Sequence, residues 1–230
     1  MANLKLELFA NPIWHTLQSH HRRFALSIGE ACRYPSDVAP FAAVEVPTRS
    51  AFRQLAQLLT PGETVSVVAD SVPSKCDLRV IDTISVVQMV LPMGIQPHGG
   101  SPCDLFILDA TRGEDMLALA GHTLPDYFRR RSHELGTFYG IRSEQQLIAM
   151  AGERLMIDRH VEISAVCTHP RHRGIGYASA LIWQLVRQHR RHGFGSWLHV
   201  GAANRSAIAL YRHMGFTTCN TLVLQKVMRG

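Results

Sequence analysis

The 230-residue chain has no apolar run approaching the ~20 residues that a membrane-spanning helix requires. Its start, Met1-Ala2-Asn3-Leu4-Lys5-Leu6-Glu7, has neither the basic opening nor the long apolar stretch of a secretory signal, which makes a cytoplasmic location the expectation. Cysteine is sparse and unpaired. Cys32, Cys76, Cys103, Cys167 and Cys219 are odd in number, scattered, and never in a C-x-x-C arrangement, which argues against a disulfide framework and against a zinc site. No metal is expected. Acidic residues are outnumbered, 18 against 24 lysines and arginines, giving a net charge of +6. Basic residues gather at Arg129-Arg130-Arg131 and at Arg187, Arg190 and Arg191, near His189 and His192. The second group closes a helical pattern, where cations offset the helix dipole. No interleaved aromatics and no nucleic-acid motif accompany either group, so nucleic acid is not the expected partner.

With 46% apolar residues, the chain is that of a globular protein with a substantial core. Its organising stretch is Val161 to Thr168, rich in valine, isoleucine and threonine, followed by His169-Pro170-Arg171-His172-Arg173-Gly174-Ile175-Gly176. This reads as a strand, a turn, and a glycine-rich helix start whose apolar positions Ala178, Leu181, Ile182, Leu185 and Val186 have helical spacing. Such a junction aims unpaired backbone N–H groups and the positive end of a helix dipole at one spot, suited to a phosphate or pyrophosphate. It is neither a Walker A loop nor the longer dinucleotide pattern.

Arg171-x-x-Gly174-x-Gly176 resembles the Q/R-x-x-G-x-G/A motif with which the GNAT superfamily of N-acetyltransferases binds the pyrophosphate of acetyl-CoA. Asn204 to Phe216 similarly resembles the family's N-x-x-A-x-x-L-Y-x-x-x-G-F signature. The phrase Glu162 to Pro170 is similar to that of a bacterial subgroup carrying an N-terminal extension. The resemblance covers roughly Leu105 to the C-terminus. It implies an α/β (α+β) GNAT fold, a mixed central sheet flanked by helices, preceded here by a small α/β region. The expected domains are 1–100, of unknown role, and 101–230, the acetyltransferase.

Residue by residue, the first region predicts a helix from Asn11-Pro12, strands at 38–46, 64–69 and 84–91, and a helix at 50–59. Pro92 to Pro102 reads as a linker with its boundary near Ser101. Beyond it come a strand at 105–108, helices at 116–121 and 125–134, a hairpin of 137–142 with 146–155, the central strand and helix, a strand at 196–200, a helix capped by Asn204, and a strand at 221–227.

The implied reaction is attack by an amine on the thioester of acetyl-CoA, the expected cosubstrate. By resemblance, Ser164, Ala165, Val166 and Thr168 face pantetheine, the Val166 N–H is a candidate oxyanion donor, and Arg171, His172, Arg173, Gly174, Ile175 and Gly176 surround the pyrophosphate. Asn204 lies at the cofactor edge or simply caps its helix. Tyr211, two helical turns beyond it on the same face, is the acid for the leaving thiolate. For the base there are two candidates. Glu162 shares the parity of Ser164 and Val166, and burial would raise its pKa; its plainer reading is an ion pair with an arginine. His199 stands where the similar ribosomal-protein N-terminal acetyltransferases carry a glutamate; its plainer reading is a core histidine. Glu153 is a distant third. Cys167 reads as packing rather than nucleophile. A CoA-binding module without turnover is the alternative to an enzyme. The first region covers the acceptor cleft, contributes a homodimer surface, or is a worn-down duplicate of the second. The acceptor itself, whether small amine, amino acid, aminoglycoside-like compound or protein, stays open.

Overall fold

The computed structural model describes residues 6–95, 104–123 and 126–230, with the Leu6 side chain excluded. Most of the expected linker, its boundary at Ser101, Cys103, residues 1–5 of the N-terminus, and Pro125 lie outside these.

Short helices α1 (Leu6–Ala10) and α2 (Pro12–Gln18) open the chain. Proline at the first turn of α2 fits, because that turn's N–H has no helical partner. Asn11 does not cap with its side chain; its amide donates instead to the Val44 carbonyl at 2.8 Å. Strands β1 (Leu26–Ile28), β2 (Ala31–Arg33) and β3 (Phe41–Val44) follow. Helix α3 (Arg49–Gln57) is capped by Thr48, whose hydroxyl accepts the Ala51 N–H. It buries Ala51, Phe52, Leu55 and Ala56 on one face. Strands β4 (Thr64–Val68) and β5 (Leu78–Leu91) complete the first region.

The second region runs β6 (Phe106–Leu108), α4 (Gly113–Gly121), β7 (Phe138–Ser143), β8 (Gln146–Ile157), β9 (His160–Thr168), α5 (Tyr177–Arg191), β10 (Gly195–Gly201), α6 (Arg205–His213) and β11 (Thr217–Arg229). The helix expected at 125–134 does not form. Among the described residues that stretch is irregular until a 3-10 turn at Ser132–Leu135. Its side chains are committed elsewhere: Phe128 enters a core cluster, and the Ser132 hydroxyl donates to the Val38 carbonyl.

All eleven strands belong to one mixed sheet in the order β1-β2-β3-β4-β11-β5-β10-β9-β8-β7-β6. The expected division at 100/101 is therefore not a division of the sheet. Strand β5 of the first region lies between β10 and β11 of the second, antiparallel to both. The two halves of β5 differ accordingly. Val86–Leu91 is flanked on both sides and largely buried, whereas Leu78–Ser85 pairs with β11 and is mostly exposed. The core is shared as well: Phe9, Ile13 and Leu17 pack with Leu155, Ile157 and Trp197.

Candidate active site

Strands β9 and β10 run parallel and pair only from His160–Gly195 to Ile163–Leu198. Beyond that point β10 follows β5 to Gly201, while β9 follows β8 to Thr168. The register of β9 on β8 passes from Ser164–Gly152 to Cys167–Met150, so Ala165 and Val166 face the single residue Ala151. This is a bulge, and Ala165 occupies it with φ of 49°, a left-handed conformation that costs a residue with a Cβ about 1–2 kcal/mol. The two strands thus part, with Ser164–Val166 on one wall and His199–Gly201 on the other. Asn204, Ala207 and Tyr211 of α6 line the same cavity, about 390 Å3 in volume.

Past β9, Gly174 (φ 81°) and Gly176 (φ 92°) adopt left-handed conformations that glycine alone takes without strain. Gly176 is the N-cap of α5 and offers no side-chain acceptor to its first turn. A Cβ at Gly174 would have no protein atom within 4 Å, so this backbone is open to a ligand. Arg171 and Arg173 are exposed beside it, and His172 is half-buried. The loop is held from behind: the Arg171 N–H donates to His169 Nδ1, and Arg173 Nε donates to the Thr168 carbonyl, both at 3.3 Å. An uncapped helix start with flanking cations fits a pyrophosphate.

Glu162 is fully buried. Arg154 grips both carboxylate oxygens, Nε at 2.9 Å and Nη2 at 2.6 Å, and His199 Nδ1 lies 2.7 Å from Oε1. The register brings Arg154 to it: one step beyond the Glu153–Ile163 pair, Arg154 and Leu155 together face Glu162, with the extra residue on β8 forming a second bulge. Burial alone would raise the Glu162 pKa, as expected from the sequence. The adjoining Arg154 and His199 outweigh burial and bring it down to about 2. The expectation of a raised pKa is corrected: Glu162 is ion-paired with Arg154, which is its plainer reading. A carboxylate can only accept, so in this contact His199 donates from Nδ1. The Gln88 side-chain amide meets Nε2 at 3.0 Å. The imidazole also stands edge-on to Trp197, with centroids 4.9 Å apart.

Burial pushes the Tyr211 phenol up to about 12, so it stays protonated and able to donate. Cys167 is likewise pushed up to about 11 by burial, and its sulfur accepts the Thr123 hydroxyl; it is no thiolate. Asn204 caps α6, accepting the Ala207 N–H at 3.1 Å, and lines the cavity too. Glu153 Oε1 meets Gln188 and His189, and its Oε2 accepts the Thr137 N–H. Among the described residues no cluster of His, Cys, Asp or Glu is arranged to hold a metal.

Residues 107–216 match the sequence model of the Acetyltransferase (GNAT) family. A GNAT-family protein from Novosphingobium aromaticivorans is 28% identical over 96% of this chain and 98% of its own, with a TM-score of 0.86. Residues 107–216 form a GNAT-family acetyltransferase domain. Two more distant structures share the fold alone. They are GCN5-related N-acetyltransferases from Kribbella flavida (15% identity, 100% of this chain and 96% of that one, TM-score 0.60) and from Sphaerobacter thermophilus (13%, 95% and 90%, 0.55). No curated protein matches the chain.

The GNAT cleft has a second set of walls that sequence reading missed. Ile13 of α2, Phe41 of β3, Val68 of β4 and Ile84 of β5 line it, as do Tyr127 and Arg154. Covering the cleft is thus one of the three roles expected for the first region that has a structural counterpart. Arg154 had a legible signal, being one of two adjacent charges, with Glu153, in the otherwise apolar run 147–157. Gln88, fully buried in an apolar strand, had a similar one.

Proposed function

We propose that the chain transfers an acetyl group from acetyl-CoA to an amine. The observation that carries this reading is the parting of β9 and β10 at the Ala165 bulge, with His199 on one side and Tyr211 on α6 lining the same cavity. The residues present suit acetyl-CoA: a backbone no longer paired with β10 at Ser164–Val166, and an open glycine turn beside exposed arginines. When bound, acetyl-CoA supplies an activated thioester.

The remaining work falls to side chains and backbone of this chain. His199 takes a proton from the acceptor amine at Nε2, turning from the Gln88 amide as it does so. Glu162 fixes the imidazole through Nδ1 and balances the charge it gains, as a carboxylate behind a histidine base does. Arg154 keeps Glu162 ionised. The Val166 N–H donates to the acyl oxygen, where a preorganised donor acts most strongly. Tyr211 gives its proton to the departing sulfur. Asn204 keeps α6, and with it Tyr211, in place.

Calorimetric titration with acetyl-CoA tests the first half of this reading, with micromolar affinity expected. Thiol release in the presence of amines tests the second. Tyr211→Phe is expected to keep the affinity and lose about 10²-fold or more in kcat. A Tyr211→Phe protein with unchanged turnover would remove the acid role.

A further inference from the structure

The cavity has two ends of different character. One holds the backbone of Ser164–Val166 with Tyr211. The other is walled by Ile13, Phe41, Val68, Ile84, Tyr127 and Leu224. Phe41 and Tyr127 stack with centroids 6.1 Å apart and planes 24° from parallel, presenting an aromatic wall. Two charged side chains line the cavity, Glu153 and Arg154, and both are already engaged. Glu153 accepts from Gln188, His189 and the Thr137 backbone. Arg154 is committed to Glu162, with its guanidinium carbon 4.8 Å from the centre of the Phe41 ring.

These facts bear on the acceptor. An acceptor with several ammonium groups would bring its further charges against an apolar wall, and the one carboxylate among the described residues lining the cavity, Glu153, already accepts three hydrogen bonds. An amine with a single nitrogen, deprotonated to react, incurs no such cost, and its hydrocarbon part gains by leaving water. A cavity of about 390 Å3, shared with the acyl end of the thioester, is at the small end of the range for ligand sites.

We propose that the acceptor is a small primary amine whose remaining structure is uncharged and apolar, aromatic or branched, seated against Phe41 and Tyr127. This rests on the acetyltransferase reading above and narrows it. The test is a thiol-release series with acetyl-CoA and ethylamine, butylamine, 2-phenylethylamine, spermidine, kanamycin and an Ala-initiated tripeptide, preceded by titration with acetyl-CoA alone. The expected result is kcat/KM rising about fourfold per added methylene from ethylamine to butylamine, highest for 2-phenylethylamine, and lowest for spermidine and kanamycin. Tyr127→Ala is expected to narrow the ratio of 2-phenylethylamine to ethylamine, with acetyl-CoA titration of the same variant reporting whether its thioester site is intact. Preference for spermidine or kanamycin, indifference to chain length, or turnover of the tripeptide alone would each overturn the proposal and leave the acetyltransferase reading standing. Failure to bind acetyl-CoA would overturn both.

Discussion

Oε1 of Glu162 lies 2.7 Å from Nδ1 of His199, and Arg154 holds the same carboxylate from the other side. The carboxylate orients the histidine rather than competing with it for the substrate proton. His199→Ala is therefore expected to lower kcat by about 10²- to 10⁴-fold with little change in acetyl-CoA affinity. Glu162→Gln is expected to lower kcat too, and also to destabilise the fold. Single-turnover rates and titration of each variant separate the two effects. Full activity in His199→Ala would transfer the base role elsewhere.

The same buried carboxylate sets an acid limit on stability. Its pKa falls from an ordinary 4.5 to about 2 on folding, so the unfolded chain binds the proton more readily. The stabilisation is complete above about pH 4.5 and is lost as pH falls toward 2. Glu63, gripped by Arg33, shifts the same way and adds to the loss. Thermal midpoints are expected to fall across this window. In Glu162→Gln the fall is smaller, while stability at neutral pH drops by about 3–5 kcal/mol, since Arg154 loses its partner. Equal acid sensitivity of the two proteins would contradict the ion-pair assignment.

What the sequence disclosed, and what it hid, divides along the range of the interactions. The glycine turn and the Asn204 helix are local: each residue's role follows from neighbours a few positions away, and the structure has Gly176 capping α5 and Asn204 capping α6. The insertion of β5 between β10 and β11 is not local. Residues 84–91 read correctly as a strand, but their partners Trp197 and Val223 are more than a hundred positions away. The polar start of β5 was illegible for the same reason, being a strand only because β11 pairs with it. The Glu162 parity was legible, whereas its pKa required Arg154, which the pairing of β8 with β9 sets opposite it. The absent helix at 125–134 is a case of tertiary contacts overriding spacing: Tyr127 and Phe128 both face apolar surroundings that a helix would have parted.

Gly174 separates ligand approach from folding. A Cβ there has no protein atom within 4 Å beyond its chain neighbours, and its strain at φ 81° is about 1–2 kcal/mol. Gly62 offers a matched control, with φ of 78° and equally open space, in a turn between α3 and β4. Gly174→Trp is expected to weaken acetyl-CoA binding at least about tenfold, a loss of 1.4 kcal/mol or more. Gly62→Trp should carry the same strain and bind normally. Equal affinities in the two variants would place the pyrophosphate elsewhere.

Arg131 ties the irregular segment 126–135 to the first region, and that segment carries Tyr127, Phe128, Ser132 and Leu135 into the cleft. The Arg131 guanidinium donates to Glu134 at 2.7 and 2.9 Å and to Asp37 at 3.3 Å, and its backbone N–H donates to the Asp37 carbonyl. Because the side chain is 41% exposed, solvent screens its ion pairs and they add little to stability. Their effect is on position rather than on folding. Without them the segment keeps the Ser132–Val38 hydrogen bond and the exposed Lys226–Asp126 pair, and so is loosened rather than released. Arg131→Ala is expected to raise the acceptor KM severalfold while acetyl-CoA affinity and thermal midpoint stay close to those of the parent, because Ser164–Val166 and the glycine turn lie on β9 and its junction with α5. A matching rise in acetyl-CoA Kd would mean that the segment supports the thioester end of the cleft instead.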